Sequence, residues 1–200
     1  MSTTPRRLRP RPAWAHKDGL VKVLANPAPG LDVRGMLADR MYRYCWGFDE
    51  RQEQVLEECF TEDAVWVGDV MGETRVGPFE GREAVLTYLT GFWPHQRDQR
   101  RHVVTNFVVE TIDGDTARGL AYLLLVGSTR ATTGLEASGL YCVDYRRSAD
   151  GNWRITKLSA GFDVPFWKGE VEEMEPWVRH LFGITHHDPE ASNVAMPDTP

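Results

Sequence analysis

The sequence predicts one domain of the α+β class, with helices in its first half and an antiparallel sheet in its second half. Apolar residues recur at helical spacing up to about residue 93 and alternate with polar residues from residue 102 onward. Asp-Gly pairs, which favour tight hairpin turns, separate some of the alternating segments. A chain of 200 residues is long enough for one core. Helices followed by hairpin-linked strands place the helices on one face of a curved sheet.

Three helices are predicted before residue 94. The first begins after Asp32, a favourable N-cap, and its apolar stripe ends near Asp49. A third helix runs from Gly81 to Trp93, and the segment between the second and third helices, Asp63 to Val67, alternates like a strand. The residues turned inward are Met36, Leu37, Met41, Tyr44, Cys45 and Phe48 in the first helix and Val55, Leu56, Cys59 and Phe60 in a short second one.

Four strands are predicted over residues 102–112, 116–127, 135–147 and 153–160. Asp113-Gly114 and Asp150-Gly151 occupy two of the three connections, which predicts hairpins there. In the first of these strands, alternation predicts two half-buried faces. One face carries His102, Val104, Asn106 and Val108, and the other carries Val103, Thr105, Phe107 and Val109.

The two ends of the chain differ from the middle. We expect an Arg/Pro-rich arm over residues 1–30, the folded domain over 31–165, and an extension over 166–200 with one helix and a frayed tail. The apolar spacing from Val171 to Leu181 predicts the helix of the extension. No unbroken apolar stretch follows the first arginines, so neither a leader segment nor a membrane helix is expected.

Charge and cysteine content restrict the partners and the compartment. The net charge is −6, and removal of the four arginines in the first dozen residues leaves −10 for the remainder. This negatively charged remainder of the chain repels phosphate backbones, so nucleic acid is not an expected partner. Cys45, Cys59 and Cys142 include no close pair, which favours a reducing compartment and predicts a cytoplasmic protein.

Motifs for several cofactor-dependent chemistries are missing. The chain has no phosphate-binding loop, no Gly-x-Gly-x-x-Gly and no Gly-x-Ser-x-Gly. The adjacent His186 and His187 have no further ligands at a suitable spacing. We therefore predict neither a cofactor nor a metal ion.

A histidine on an otherwise apolar strand face is the strongest chemical signal. Each buried polar group without a partner costs about 1–3 kcal/mol, so His102 requires one. Asp49, at the end of the first helix, is the nearest candidate. A carboxylate that holds one imidazole nitrogen protonated allows the other nitrogen to abstract a proton. A purely structural hydrogen bond in a core is the alternative interpretation.

Four segments resemble the SnoaL-like branch of the NTF2-like superfamily, over about residues 34–160. They are RYCWGFDERQEQVLEECFTEDAVWVGDV, GPFEGREAVLTYL, RHVVTN and YRRSADGNWRITKL. Within that branch the motifs are most similar to hexachlorocyclohexane dehydrochlorinase and, more distantly, to scytalone and bile-acid dehydratases. The resemblance implies a cone-shaped α+β barrel, in which a curved antiparallel sheet wraps around a central pocket closed by helices.

The resemblance also implies roles for particular residues. In those relatives an Asp near the end of the first helix and a His at the start of the meander form a catalytic dyad, and Asp49 and His102 match them. Tyr44 matches a tyrosine that contacts the leaving group or a carbonyl, with Tyr42 as a second candidate. The second strand histidine of scytalone dehydratase has no counterpart, because no histidine lies between His102 and His180.

These observations predict a cofactor-independent lyase of the dehydratase or dehydrohalogenase type that acts on a small hydrophobic, cyclic substrate. An isomerase, cyclase or epoxide hydrolase on the same scaffold is one alternative, and a non-catalytic ligand-binding or assembly subunit is another. A homo-oligomer, trimer or dimer, is expected because an open curved sheet leaves an outer face to cover. The predicted catalytic residues are His102, Asp49 and Tyr44, and the predicted substrate contacts are Trp66, Phe92, Asn106, Tyr122 and Arg147.

Overall fold

The computed structural model describes residues 25–26, 30–96, 98–129 and 131–165. This part of the chain contains three helices and six strands, which confirms the α+β class. In chain order the elements are α1 (Val33–Asp49), α2 (Glu53–Cys59), β1 (Phe60–Val70), β2 (Thr74–Glu80), α3 (Arg82–Gly91), β3 (Gln99–Asp113), β4 (Thr116–Ser128), β5 (Thr133–Arg147) and β6 (Trp153–Phe162).

Helix α1 begins and ends where the sequence predicts. The Asp32 side chain accepts a hydrogen bond from the Gly35 backbone N–H at 2.7 Å, which satisfies one of the unpaired donors of the first turn. Leu37, Met41 and Tyr44 are almost completely buried against the sheet. The apolar stripe therefore fixes the rotation of α1, and that rotation directs its last residue, Asp49, toward the sheet.

The six strands form one open sheet in the order β2-β1-β6-β5-β4-β3. Strands β3 to β6 form the predicted antiparallel meander. Strand β1 pairs in parallel with β6, the last strand of the domain. The sequence pattern does not reveal this pair, because alternation identifies strands without identifying their partners. As a result β2 and β3 are the two edge strands.

Strand β2 is an element that the sequence analysis did not predict. It spans Thr74–Glu80 and contains Gly77 and Pro78, two residues that argue against a central strand. Its place at the edge of the sheet explains why they are tolerated, since a proline there loses no hydrogen bond to a second neighbour. Strand β1 is also longer than predicted, and Phe60 is its first residue rather than part of α2.

A bulge in β3 corrects the predicted assignment of its faces. Asn106 has φ +55°, and the pairing with β4 shifts register between Thr105 and Val108. His102 and Val104 are partly buried, as predicted, but beyond the bulge the inward-facing positions are Phe107 and Val109. One extra residue in one strand moves every later side chain to the other face, so Asn106 and Val108 are exposed.

A buried arginine ties the first helix to the rest of the domain. Arg40 is 1% exposed, and its guanidinium donates to the carbonyl oxygens of Trp153 at 2.7 Å and Glu58 at 3.0 Å. It also donates to the Ala25 carbonyl and the Asn26 side chain. These bonds join α1, α2, β6 and the segment before α1, so α1 is fixed at its middle as well as at its ends.

None of the helices within the described residues is long and apolar enough to cross a membrane. The predicted Arg/Pro-rich arm lies almost entirely outside the described residues. So do the predicted helix between Val171 and Leu181 and the histidines at positions 186 and 187.

Candidate active site

The end of α1 meets the start of β3 through Asp49 and His102. One carboxylate oxygen, Oδ1, lies 2.7 Å from the imidazole Nδ1 of His102. The other, Oδ2, accepts the backbone N–H of the same residue at 2.8 Å. Both side chains are 7% exposed. The two groups that the sequence singled out, 53 positions apart, therefore form a buried two-point contact.

This contact determines the protonation pattern of the ring. An ionised carboxylate can only accept hydrogen bonds, so Nδ1 carries the proton that is donated to Asp49. In the neutral form of the ring, the other nitrogen, Nε2, then holds a lone pair. Because Asp49 binds the backbone and the ring of His102 together, the imidazole is fixed in orientation as well as in tautomer. A ring held in this way can accept a proton at Nε2.

The backbone of β3 explains why a carboxylate is needed at this point. Strand β3 lies at an edge of the sheet, so the backbone N–H and C=O of every second residue have no neighbouring strand to bind. At this free edge, Asp49 accepts a hydrogen bond from the backbone N–H of His102. The Gln99 side chain donates a hydrogen bond to the backbone carbonyl of Arg100 at 3.1 Å. Farther along, Arg34 of α1 donates to the carbonyl of Phe107 at 3.4 Å. Asp49 thus closes the sheet edge while it orients the imidazole.

Aromatic rings surround the imidazole on its inner side. Phe48 packs edge-to-face on His102 with ring centroids 5.1 Å apart, and Tyr44 lies at 6.3 Å. The hydroxyl oxygen of Tyr44 accepts a hydrogen bond from the Trp66 indole at 3.3 Å. Burial raises the pKa of the Tyr44 phenol well above its usual value, and the nearby Cys45 raises it further. Tyr44 therefore remains a neutral phenol beside the dyad.

A second acid–base pair lies one residue away from the first on both elements. Arg101 of β3 pairs with Glu50, the residue that caps the C-terminal end of α1. The Glu50 side chain is buried, whereas that of Arg101 is one-third exposed. The two pairs, Asp49–His102 and Glu50–Arg101, hold the end of α1 against the start of β3.

A cleft of about 480 Å³ opens beside the dyad, between α1 and the free edge of β3. This volume is in the range of small-molecule sites. Two aromatic side chains of α1, Tyr42 and Trp46, contribute exposed surface to it. The cleft is lined by Tyr42, Cys45, Trp46, Asp49, Glu50, Arg101, His102, Val103 and Val104.

Two of the predicted substrate contacts lie in the core next to the dyad. Trp66 is 3% exposed and reaches His102 only through Tyr44, to which its indole is bonded. Phe92 packs on Phe48 at 6.5 Å, and Phe48 in turn covers the imidazole. Neither Trp66 nor Phe92 lines the cleft between α1 and β3.

The structure does not bring the other three predicted substrate contacts to the dyad. Asn106 is turned outward by the bulge. Tyr122 is 59% exposed on the outer face of β4, because strand alternation places its neighbour Leu123 inward. Arg147 pairs with Asp115, next to the turn between β3 and β4, at the end of the sheet opposite His102.

Sequence reasoning missed the cleft residues Trp46, Glu50 and Arg101, and it named Tyr42 only as the second candidate after Tyr44. A signal was present for the two aromatic residues, since they are four positions apart on the polar side of α1, where large apolar side chains are unusual. Glu50 and Arg101 directly adjoin the dyad in sequence. No local pattern indicates that they pair, because they belong to different elements.

The described residues contain no metal-binding cluster, and the cleft contains no reactive thiol. No three side chains of the metal-binding types come together in the part of the chain that the structure describes. Cys45 lines the cleft, but burial and the neighbouring Asp49 raise the pKa of its thiol well above the usual value. It is therefore held as a thiol, which is a poor nucleophile.

The fold and the site define a class of small α+β domains in which a curved sheet places an acid–imidazole pair beside a pocket. Comparison with known proteins identifies the family. The SnoaL-like domain family matches residues 31–159. The chain belongs to this family. No curated protein matches the sequence.

Three solved structures illustrate the similarity. A hexachlorocyclohexane dehydrochlorinase from Novosphingobium barchaimii is 27% identical with a TM-score of 0.54, over 64% of this chain and 85% of that one. A putative aromatic ring hydroxylase from Novosphingobium aromaticivorans is 27% identical with a TM-score of 0.53, over 66% and 90%. An NTF2-like protein with a cystatin-like fold from the latter organism is 20% identical with a TM-score of 0.56, over 74% and 87%, and shows the fold alone.

Proposed function

We propose that the protein is a cofactor-independent lyase of the dehydratase or dehydrohalogenase type. The observation that carries this proposal is the two-point contact of Asp49 with His102, which fixes the imidazole of a residue that lines a cleft of substrate size. A histidine needed only for packing would have no requirement for a fixed tautomer beside open space. The substrate in this proposal is a small, hydrophobic, cyclic compound.

The reaction begins when Nε2 of His102 takes a proton from an activated carbon of the substrate. Asp49 stabilises the imidazolium that forms, because its carboxylate already accepts the Nδ1 proton. The electron pair of the broken C–H bond forms a carbon–carbon double bond, and a group on the neighbouring carbon leaves as hydroxide or halide. A leaving hydroxide takes the proton from the imidazolium and departs as water, which restores neutral His102. A halide departs as the anion, and the imidazolium then releases its proton to solvent. Tyr44 packs beside the ring but is 2% exposed and does not line the cleft, so Tyr42, which does line it, is the candidate contact for the leaving group or a carbonyl.

The comparisons support this proposal at the level of the scaffold. A hexachlorocyclohexane dehydrochlorinase is among the structures with 27% identity to this chain. Another at the same identity carries the name of an aromatic ring hydroxylase. Two proteins similar to this chain are therefore named for chemistry on ring compounds, and the geometry of the dyad favours proton abstraction among the reactions of this scaffold.

An elimination screen tests the proposal. Cyclic β-hydroxy ketones and chlorinated cycloalkanes are incubated with the wild-type protein, with His102→Ala and with Asp49→Asn. We expect turnover of at least one class, and a loss of about 10²- to 10⁴-fold in each variant with folding retained. His95→Ala is the matched control, since this exposed histidine lies outside the cleft lining. Turnover that is unchanged in His102→Ala contradicts the proposal, and a rearranged product without loss of a group indicates an isomerase.

We further propose that the protein forms a homo-oligomer through the outer face of the sheet. Val103 and Leu124 are cross-strand neighbours there, as are Tyr122 and Leu140, and all four are exposed apolar side chains. Contiguous apolar surface of this kind is typical of a subunit contact. Tyr122→Lys is expected to lower the mass measured by sedimentation equilibrium, and an unchanged mass, or a wild-type monomer, contradicts the proposal.

We also infer a cytoplasmic location. The three cysteines are free, and Cys45 and Cys59 are buried, so no disulfide stabilises the described part of the fold. Free buried thiols are typical of reducing compartments. Localisation of the tagged full chain in its own cells tests this inference.

A further inference from the structure

The free edge of β3 presents one backbone hydrogen-bond donor to the cleft. The N–H of His102 is donated to Asp49 and not to β4, so the pair His102–Leu125 is one without mutual backbone bonds. Backbone N–H groups point alternately to the two sides of a strand. The N–H and C=O of Val104, two residues farther on, therefore point to the same free edge, and Val104 lines the cleft.

The opposite wall of the cleft supplies a surface for a flat ring. Tyr42 and Trp46 lie four positions apart on α1, which places them side by side on one face of the helix. They are 48% and 40% exposed, and both line the cleft. Exposed aromatic side chains lose little entropy when they pack against a planar ligand.

The charges around the cleft favour an uncharged ligand. The positive charge of Arg101 is paired with Glu50, so it is not available as an unshared partner for an anion. The Asp49 carboxylate, which also lines the cleft, adds a second acidic group beside that of Glu50. A ligand anion would lie beside this carboxylate in a partly buried environment, where like charges repel more strongly than in water.

We propose, on the basis of the function proposed above, that the cleft binds an uncharged cyclic ketone whose ring packs on Tyr42 and Trp46. Its carbonyl oxygen accepts a hydrogen bond from the Val104 backbone N–H. This backbone donor fills the role that the sequence had suggested for Asn106, a residue that the bulge turns away from the dyad.

A carbonyl at this position activates the carbon next to it. When Nε2 of His102 removes a proton from that carbon, the C–H electron pair forms the double bond of an enolate, and the negative charge develops on the oxygen bound to Val104. A backbone donor fixed in a strand stabilises such a charge without reorganisation. The enolate then re-forms the carbonyl and expels hydroxide from the β carbon. This hydroxide takes the proton from His102 and leaves as water.

Nuclear magnetic resonance of the ¹⁵N-valine-labelled full chain tests the proposal with three probes of similar ring size. They are 1-tetralone, a neutral cyclic ketone; tetralin, which lacks the oxygen; and 1-naphthoate, which is an anion. We expect 1-tetralone to shift the Val104 amide proton downfield and tetralin not to do so. Tetralin is expected to bind about 2- to 10-fold more weakly, the range for loss of one hydrogen bond, and 1-naphthoate more weakly than 1-tetralone.

Two variants separate this proposal from the proposed function. Trp46→Ala is expected to weaken 1-tetralone binding about tenfold, whereas Ile112→Ala, which removes an exposed apolar side chain at the far end of β3, leaves it unchanged. His102→Ala retains 1-tetralone binding and the Val104 shift, even if the proposed function fails in the elimination screen. The cyclic-ketone proposal is overturned if 1-tetralone does not bind, if the Val104 amide does not respond, or if 1-naphthoate binds as tightly.

Discussion

Glu50, the residue after Asp49, pairs with Arg101, the residue before His102, so the end of α1 is attached to β3 at two consecutive positions. The Glu50 carboxylate is buried, and its counterion is the partly exposed Arg101. The ion pair therefore supports the placement of the dyad. This relationship leads to the first prediction.

Arg101→Ala is expected to destabilise the protein by about 1–3 kcal/mol, because it leaves a buried carboxylate without its partner. Addition of Glu50→Gln should recover part of this loss, since the uncompensated charge is then removed. The measurement is urea unfolding of both single variants and the double variant. Arg118→Ala, which breaks more exposed pairs with Glu110 and Asp144, serves as the control and should cost less than about 1 kcal/mol. Additive effects of the Arg101 and Glu50 variants would contradict a coupled pair.

The tautomer of His102 is a second prediction. In the wild-type protein, ¹⁵N spectra of the neutral imidazole should show the proton on Nδ1 and an unprotonated Nε2, because Nδ1 donates to Asp49. In Asp49→Asn the side chain can present an N–H₂ group to the ring, and the population with the proton on Nε2 should rise. An identical tautomer ratio in the two proteins would show that Asp49 does not determine the protonation of the ring.

The third prediction concerns Asn106 at the bulge. Asn106→Val should lower the free energy of unfolding by about 1–2 kcal/mol, because a β-branched residue is strained at φ +55°. Asn106→Gly should change it by less than about 1 kcal/mol, since glycine adopts this conformation freely. The exposed side chain does not reach the dyad, so turnover per folded molecule should be retained in Asn106→Gly. A large loss of turnover in Asn106→Gly would contradict this prediction and indicate that the Asn106 side chain takes part in the site.

Alkaline unfolding supplies a fourth prediction. Burial raises the pKa of the Cys59 thiol from its usual 9.0 to about 11. The unfolded chain therefore loses this proton before the folded one does, so the contribution of Cys59 is intact below pH 9 and is lost as the pH rises to about 11. A shift of this size corresponds to about 3 kcal/mol.

The variant Cys59→Ala lacks this titrating group. It should be less stable than the wild type at pH 8 because a cavity forms, and the difference in unfolding free energy should narrow as the pH rises to 11. Contributions from buried tyrosines are common to both proteins and cancel in the difference. A constant difference between pH 8 and pH 11 would contradict the assigned pKa.

Much of the fold was predictable because its signals are local. The N-cap Asp32 and the apolar stripe fix the ends and the rotation of α1, and the Asp-Gly turns mark two hairpins of the meander. Strand β2 was missed because Gly77 and Pro78 argue against a strand, and only its edge position allows them. The parallel pairing of β1 with β6 was invisible for a related reason, since pairing partners are chosen by tertiary packing.

The candidate site was predictable in part. Asp49 and His102 could be proposed as partners because a buried histidine needs a hydrogen-bond partner and α1 ends nearby. The faces of β3 beyond Thr105 could not be predicted, because a single bulge reverses inside and outside. Tyr122 was expected to contact the substrate but lies on the outer face. Alternation along a strand does not indicate which of its two faces the helices cover.

The amino-acid sequence by itself determined the α+β class and the position of α1, since these follow from short-range periodicity. It also led to Asp49 and His102 as proposed partners, because a buried imidazole needs one and because both residues match the SnoaL-like motifs. Only the tertiary structure decided that both oxygens of Asp49 bind His102, and that the adjoining cleft is bordered by Tyr42, Trp46 and the edge of β3. The physical reason is that these arrangements depend on how two distant segments pack, and packing is set by the whole core.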